Sequence, residues 1–160
     1  MRVIIKDNPI EISHEAAELI IKQINKDHGS VLGFATGASP VETYKRIIEK
    51  YNEGEVSLKH ITTFNLDEYV GLSKDNVNSY YYFMQDNLFG KTDVDKDRIN
   101  FLSGEAEDLE AECARYEEKI KDYILTHTKI DEEMYREIER QEFWMDADDM
   151  LKYGIVDEII

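Results

Sequence analysis

Thr36-Gly37-Ala38-Ser39-Pro40 and Asp67-Glu68 are the two places in this chain where residue type and spacing suit chemistry on a small anionic molecule. In the first, an apolar run ends in a tight turn that opens a helix. Its N–H groups and the positive end of the helix dipole then face one point outside a strand end. Gly37 lets backbone approach a ligand closely, Ser39 supplies a hydroxyl, and Pro40 at the first helical position has no N–H to leave unsatisfied. In the second, the two acids directly follow another apolar run, where open α/β sheets place their ligands. A carboxylate there, shielded by Phe64, Tyr69 and Val70, is suited to act as a base that moves a proton between adjacent carbons. Both clusters also have a purely structural reading, as a capped helix start and as a turn acid solvating a strand end.

The other reactive residue types form no such cluster. His14, His28, His60 and His127 are scattered without paired spacing and Cys113 has no partner, so neither a metal site nor an internal disulfide is expected. Cys113 is expected to be structural and fits a reducing compartment. Tyr80-Tyr81-Tyr82-Phe83 taken alone suggests a base-stacking platform, but at helical spacing among so many acids it reads as core and interface. Nineteen basic residues against 35 acidic ones give a formal charge of −16, which repels phosphate backbones and anionic lipid. No nucleic-acid or membrane partner is expected, and an anionic substrate has to be held by local N–H groups. No stretch approaches the roughly 18 apolar residues of a membrane span, and MRVIIKDNPI is too short for a signal-peptide core. The expectation is a soluble, cytoplasmic protein, with homo-oligomerisation left open.

These clusters must be positioned by strands alternating with helices. Val3 to Ile5 reads as a short strand. A helix follows, capped by Ser13 and carried by Ala16, Ala17, Leu19, Ile20, Ile21 and Ile24. Ser30 to Ala35 reads as a second, buried strand, with a helix to about Asn52, and Ile61 to Leu66 as a third. A helix over about Ser79–Leu88, a short strand Ile99–Leu102 and a charged helix from Asp108 to about Leu125 complete this part. In the last of these, Glu117 and Lys121 have the spacing of an intrahelical pair worth a few tenths of a kcal/mol. Such alternation predicts an α/β fold with a doubly wound, mostly parallel Rossmann-like sheet. Beyond Lys129 the elements are short: an acidic helix near 131–141, the aromatic patch Phe143-Trp144-Met145, a helix from Ala147 to Tyr153, and a run from Ile155 to Ile160.

VLGFATGASPVETYK, ITTFNLDEYVGL, SYYYFMQDNLF and AEDLEAECARYEEKI, in that order and spacing, closely resemble glucosamine-6-phosphate deaminase over about residues 1–123. The resemblance implies an aldose–ketose isomerase and deaminase that converts glucosamine 6-phosphate to fructose 6-phosphate and ammonia without metal or organic cofactor. It implies that the turn Thr36, Gly37, Ala38 and Ser39 helps to bind the sugar phosphate. Asp67 matches the base that shuttles a proton between C2 and C1.

After about Tyr123 that resemblance stops. The family continues into a strand and a segment of the type GxxGHIGFNEP, whose histidine and acids serve ring opening, and nothing like it follows here. The resemblance therefore implies an incomplete catalytic site, with weak turnover or none. Instead, the ending FWMDADDMLKYGIVDEII and the residues before it, about 124–160, resemble the carboxy-terminal end of a Clp-type serine protease subunit. The serine and histidine of that family have no counterpart, Glu137 stands where its triad aspartate would be, and an acid alone orients nothing. The chain thus reads as a chimera joined inside a helix at about residues 120–125. The alternative function is that of a non-enzymatic interaction protein, or a Clp-type subunit fragment acting in assembly. The join is expected to truncate the sheet, leaving an edge to be met by a substitute strand from Ile155 to Ile160 and by Phe143, Trp144 and Met145.

Overall fold

Asn8 and Pro9, rather than Ser13, begin the first helix. In the computed structural model, which describes residues 4–140 and 145–156, helix α1 spans Pro9–Lys26. The Asn8 side chain accepts the Glu11 N–H at 3.0 Å and donates to the Glu11 carboxylate at 2.8 Å, while Pro9 presets the first turn. Ser13 is buried mid-helix on the same face as Ala17, Ile21 and Ile24. Ile4 and Ile5 are not in a strand, and Val3 lies outside the described residues.

Three short parallel strands follow: β1 (Val31–Gly33), β2 (Thr62–Phe64) and β3 (Ile99–Asn100), in the order β1-β2-β3. Val31 pairs with Thr62 and Gly33 with Phe64, while Thr63 pairs with Ile99 and Phe64 with Asn100. The first crossover carries α2 (Val41–Asn52) and the second carries α3 (Tyr80–Asn87). β2 lies between two strands and is buried throughout. β1 was expected to be buried and to run from Ser30 to Ala35. It is a shorter strand with Val31 37% exposed, because among the described residues β2 alone pairs with it.

The helices close over the sheet with side chains at 3.6-residue spacing. Ile24 from α1, Ile47 from α2, Met84 from α3 and Leu58, Ile61 and Leu88 from the connections are all fully buried in one cluster. Tyr80, Tyr81 and Phe83 pack partly against it, in keeping with a core role for the aromatic run.

The chain divides into two compact units, Ile5–Glu107 just described and a second formed mainly from Asp108 onward. The second holds α4 (Leu109–His127), α5 (Glu132–Arg140) and α6 (Ala147–Lys152). Asp108 caps α4 by accepting the Ala111 N–H at 2.9 Å, and Asp146 caps α6 by accepting the Asp149 N–H at 2.9 Å. Lys121 does not pair with Glu117; it reaches across to Glu132 on α5 at 3.1 Å and lies 5.7 Å from the Tyr135 ring. An apolar cavity of about 530 Å³, lined by Ile124, Ile130, Tyr135, Ile138, Met145 and Met150, opens between these helices. Ile155 and Val156 are not in a strand; residues 157–160, like Phe143 and Trp144, lie outside the described residues. Cys113 is exposed, which removes it from any packing role.

Candidate functional site

Because β1 and β2 run parallel, the segments that leave them emerge at the same end of the sheet. Buried asparagines fasten that end. Asn65 donates its side-chain N–H to the Phe34 carbonyl at 2.7 Å, and its own N–H bonds the Asn100 carbonyl at 3.2 Å. Asn100 donates to the Thr63 carbonyl at 2.9 Å. The Asn65 amide thus continues the β1–β2 ladder past its last regular pair, holding Phe34 beside Asn65 where the two segments leave the sheet. A cleft of about 460 Å³ opens there, lined by Gly33, Phe34, Ala35, Thr36, Leu66 and Asp67. Thr36 of the first sequence cluster and Asp67 of the second therefore border one cavity, with Gly37 to Ser39 continuing from its rim.

The wall at Phe34–Ala35 is fixed from behind. Phe34 meets the rings of Tyr44 and Phe89 edge to face at 5.7 and 5.9 Å. The Tyr44 hydroxyl donates to the Ala35 carbonyl at 2.5 Å. Burial pushes the Tyr44 phenol up to about 12, partly offset by that backbone hydrogen bond.

From Ala35 the chain turns into α2 through Gly37 at φ +94°, a left-handed conformation that side chains with a Cβ rarely adopt. Pro40 caps α2 rather than occupying its first helical position, and it has no side-chain acceptor for the first-turn N–H groups. Among the described residues no backbone hydrogen bond uses the N–H of Gly37, Ala38 or Ser39. The turn is thus a set of unclaimed donors at the N-terminus of a 12-residue helix.

The two acids have separate tasks. One Glu68 carboxylate oxygen accepts the N–H groups of Tyr69 at 2.8 Å and Tyr80 at 2.9 Å, and the other accepts Tyr81 N–H at 2.9 Å. Glu68 therefore caps α3 from a distant loop, together with Ser79, which accepts the Tyr82 N–H at 3.0 Å. Its neighbour Asp67 is exposed at the cleft. The expected shielding is not there: Tyr69 is 51% and Val70 68% exposed.

Tyr80 is the residue at this site that the sequence did not single out for chemistry. Its hydroxyl lies 3.0 Å from that of Tyr69, with the two rings 4.7 Å apart. The hydrogen bond with Tyr69, then burial and the nearby Asp67 charge, hold the phenol above its usual range; a hydrogen bond with the Thr36 side chain works the other way. Tyr80 thus joins the turn that begins at Thr36 to the loop carrying Asp67. Under that loop, Gly71 donates to the Gly104 carbonyl at 2.7 Å, and any Cβ on Gly104 would collide with the carbonyl oxygens of Tyr69 and Leu72.

In the second unit, Glu137 is exposed on α5 beside a shallow depression of about 310 Å³ lined by Asp131, Glu133, Met134 and Tyr153. No serine or histidine lines it among the described residues.

Comparison with known proteins finds two matches that overlap along the chain. The chain is 48% identical over 121 residues to glucosamine-6-phosphate deaminase of Thermoanaerobacter sp. (strain X514), covering 76% of this chain and 48% of that protein. It is 47% identical over 132 residues to the Cronobacter sakazakii (strain ATCC BAA-894) deaminase, covering 79% of this chain and 50% of the relative. A solved monomeric glucosamine-6-phosphate deaminase superposes with a TM-score of 0.73 at 40% identity, over 76% of this chain and 51% of that structure. A 6-phosphogluconolactonase from Thermotoga maritima shares the fold alone, with a TM-score of 0.59 at 15% identity over 75% of this chain and 53% of its own. The Clp protease family matches residues 98–160. The first part of the chain is thus similar to glucosamine-6-phosphate deaminases in sequence and Rossmann-like fold, and the last part to Clp proteases. The chain spans about half the length of the deaminases it matches.

Proposed function

We propose that this chain forms the phosphate-cradling and proton-transferring half of a glucosamine-6-phosphate deaminase site, able to bind the sugar phosphate and to turn it over weakly or not at all. The deaminase-like part is taken as residues 1–123 and the Clp-like tail as 124–160. The observation that carries this reading is the single cleft bordered by Thr36 and Asp67 at the shared carboxyl end of β1 and β2. At its rim, the N–H groups of Gly37, Ala38 and Ser39, which follow Thr36 in the chain, receive the phosphate against an overall charge of −16 that would otherwise repel it. Asp67 takes the proton from C2 of the open-chain sugar and returns it to C1. The groups that open the ring in the full-length relatives have no counterpart here, which limits turnover.

Amide-resolved NMR titration with glucosamine 6-phosphate tests this. Saturable shifts of the Gly37, Ala38 and Ser39 amides are expected, and Asp67→Asn should keep those shifts while abolishing any residual isomerisation. Dispersed spectra in which the turn ignores the ligand would overturn the binding role, and equal isomerisation by the variant would overturn the role of Asp67.

The family match over residues 98–160 favours a second reading, a non-enzymatic interaction protein or Clp-type subunit fragment acting in assembly. It requires a mixed oligomer when the chain is co-expressed with a Clp-type protease subunit, and fails if none forms.

A further inference from the structure

Asp67 owes its place to its neighbours. Among the described residues no hydrogen bond holds its carboxylate, which lies exposed at the cleft. On its amino-terminal side the chain is tied to the sheet, where the Asn65 N–H bonds the Asn100 carbonyl at 3.2 Å. On its carboxy-terminal side the loop is tied to α3 twice. The Glu68 carboxylate takes the main-chain N–H groups of Tyr80 and Tyr81, both at 2.9 Å, and the Tyr69 hydroxyl meets that of Tyr80 at 3.0 Å. A further tie, from the Gly71 N–H to the Gly104 carbonyl at 2.7 Å, closes the loop from below. Of these ties the tyrosine pair alone continues to the turn, because the Tyr80 hydroxyl also shares a hydrogen bond with the Thr36 side chain.

We propose that Tyr80 is a positioning residue: its hydroxyl, set between those of Thr36 and Tyr69, makes an anion at the turn tighten the loop that carries Asp67. A hydroxyl has a single O–H to give, so Tyr80 gives to one neighbour and accepts from the other. In the structure it donates to Tyr69, which leaves its oxygen to accept from Thr36. The charged oxygens of a phosphate accept hydrogen bonds, so one seated on the N–H groups of Gly37 to Ser39 draws the adjacent Thr36 O–H to itself. Tyr80 then donates to Thr36 and Tyr69 to Tyr80, and both bonds of the line reverse together. Donors that all point towards a negative charge reinforce one another, so the bond that restrains Tyr69 strengthens when the turn holds its anion. The two rings, 4.7 Å apart, carry that restraint into the loop, and Glu68 already fixes the main chain beside it.

The anion half of this inference rests on the phosphate reading of the turn, whereas the tie between turn and loop does not. Tyr80→Phe isolates the hydroxyl, because the ring that packs partly against the core remains. The full chain is titrated with inorganic phosphate while amide signals and amide hydrogen exchange are followed. In the parent, the amides of Asp67 to Gly71 are expected to shift with the same midpoint as those of Gly37 to Ser39, and exchange at Gly71 to slow. In Tyr80→Phe the turn should still titrate, with affinity weaker by about two- to tenfold for the loss of one hydrogen-bonded link, while the loop no longer follows. Thr36→Val should uncouple the loop likewise, and Thr36→Ser, which keeps a hydroxyl, should restore the coupling. Tyr82→Phe, at a tyrosine 39% exposed, should leave it intact. A Tyr80 that only fills space would leave the coupling unchanged in Tyr80→Phe, and that result overturns the inference. So does a turn that titrates in the parent while the loop stays still. If the turn itself ignores phosphate, the phosphate reading fails together with the anion half, and the tie is decided without ligand. Exchange at Gly71 must then run about two- to tenfold faster in Tyr80→Phe and Thr36→Val than in the parent and Thr36→Ser, and equal rates overturn the tie as well.

Discussion

Glu68 is the residue whose removal should separate support from chemistry at this site. Its carboxylate collects N–H groups from Tyr69, Tyr80 and Tyr81, two of them in the first turn of α3. Losing a cap acceptor costs about 1 kcal/mol, and losing a negative charge at a helix N-terminus adds roughly 0.3–1 kcal/mol. Glu68→Ala should therefore destabilise the protein by about 2 kcal/mol. For a unit the size of Ile5–Glu107 that lowers the thermal midpoint by roughly 8–16 °C. Urea unfolding should move its midpoint down by about 1 M at a slope of about 2 kcal/mol/M. Glu68→Gln should fall between, because its carbonyl can keep the Tyr69 and Tyr80 bonds while its NH2 group opposes the Tyr81 N–H. A loss for Glu68→Ala no larger than the roughly 0.5 kcal/mol of an ordinary surface substitution would refute the capping role.

Two further perturbations follow from neighbouring contacts. Gly104→Ala forces a methyl group into the Tyr69 and Leu72 carbonyls, so a loss of about 1–3 kcal/mol is expected, with amide shifts confined to 67–72 and 104. Full retention of stability would mean that the loop gives way freely. Tyr44 titrates near 12 in the folded chain against an ordinary value of 10.0. A raised folded pKa means that its contribution is complete below pH 10 and declines as pH rises toward 12. Denaturation of the parent and of Tyr44→Phe across that range should show a shallower alkaline decline in the variant, and identical slopes would refute the assignment.

The sequence made the strand–helix alternation readable because buried runs such as Thr62–Phe64 stand out between helical periodicities. It could not say which strand ends up on an edge, since Val31–Gly33 is as apolar as a central strand and its exposure depends on what lies beside it. Asn8-Pro9 carries a helix-start signal that competes in the sequence with Ser13; the reciprocal bond of Asn8 with Glu11 decides for the earlier start. At the site, Asp67 and Glu68 are equivalent as text. Only the approach of α3 makes one a cap and leaves the other at the cleft. The role of Tyr80 was hidden for a similar reason, because its hydroxyl meets a tyrosine eleven positions earlier through tertiary folding. Likewise the partner of Lys121 is on another helix, where local spacing has no reach.

The all-parallel register also sets a schedule during synthesis. β2 is the strand that both others need, yet the Ile99 that pairs with Thr63 is translated roughly 2–7 s later at about 5–20 residues per second. Through that interval the nascent chain carries a half-made sheet, and the side of β2 reserved for β3 is an adhesive surface for any neighbouring chain. Two of its three residues are threonines, which fill the interior once the sheet closes but remain wettable while it waits. A strand built of isoleucine or valine would gain cohesion in the finished fold and lose that protection at the ribosome.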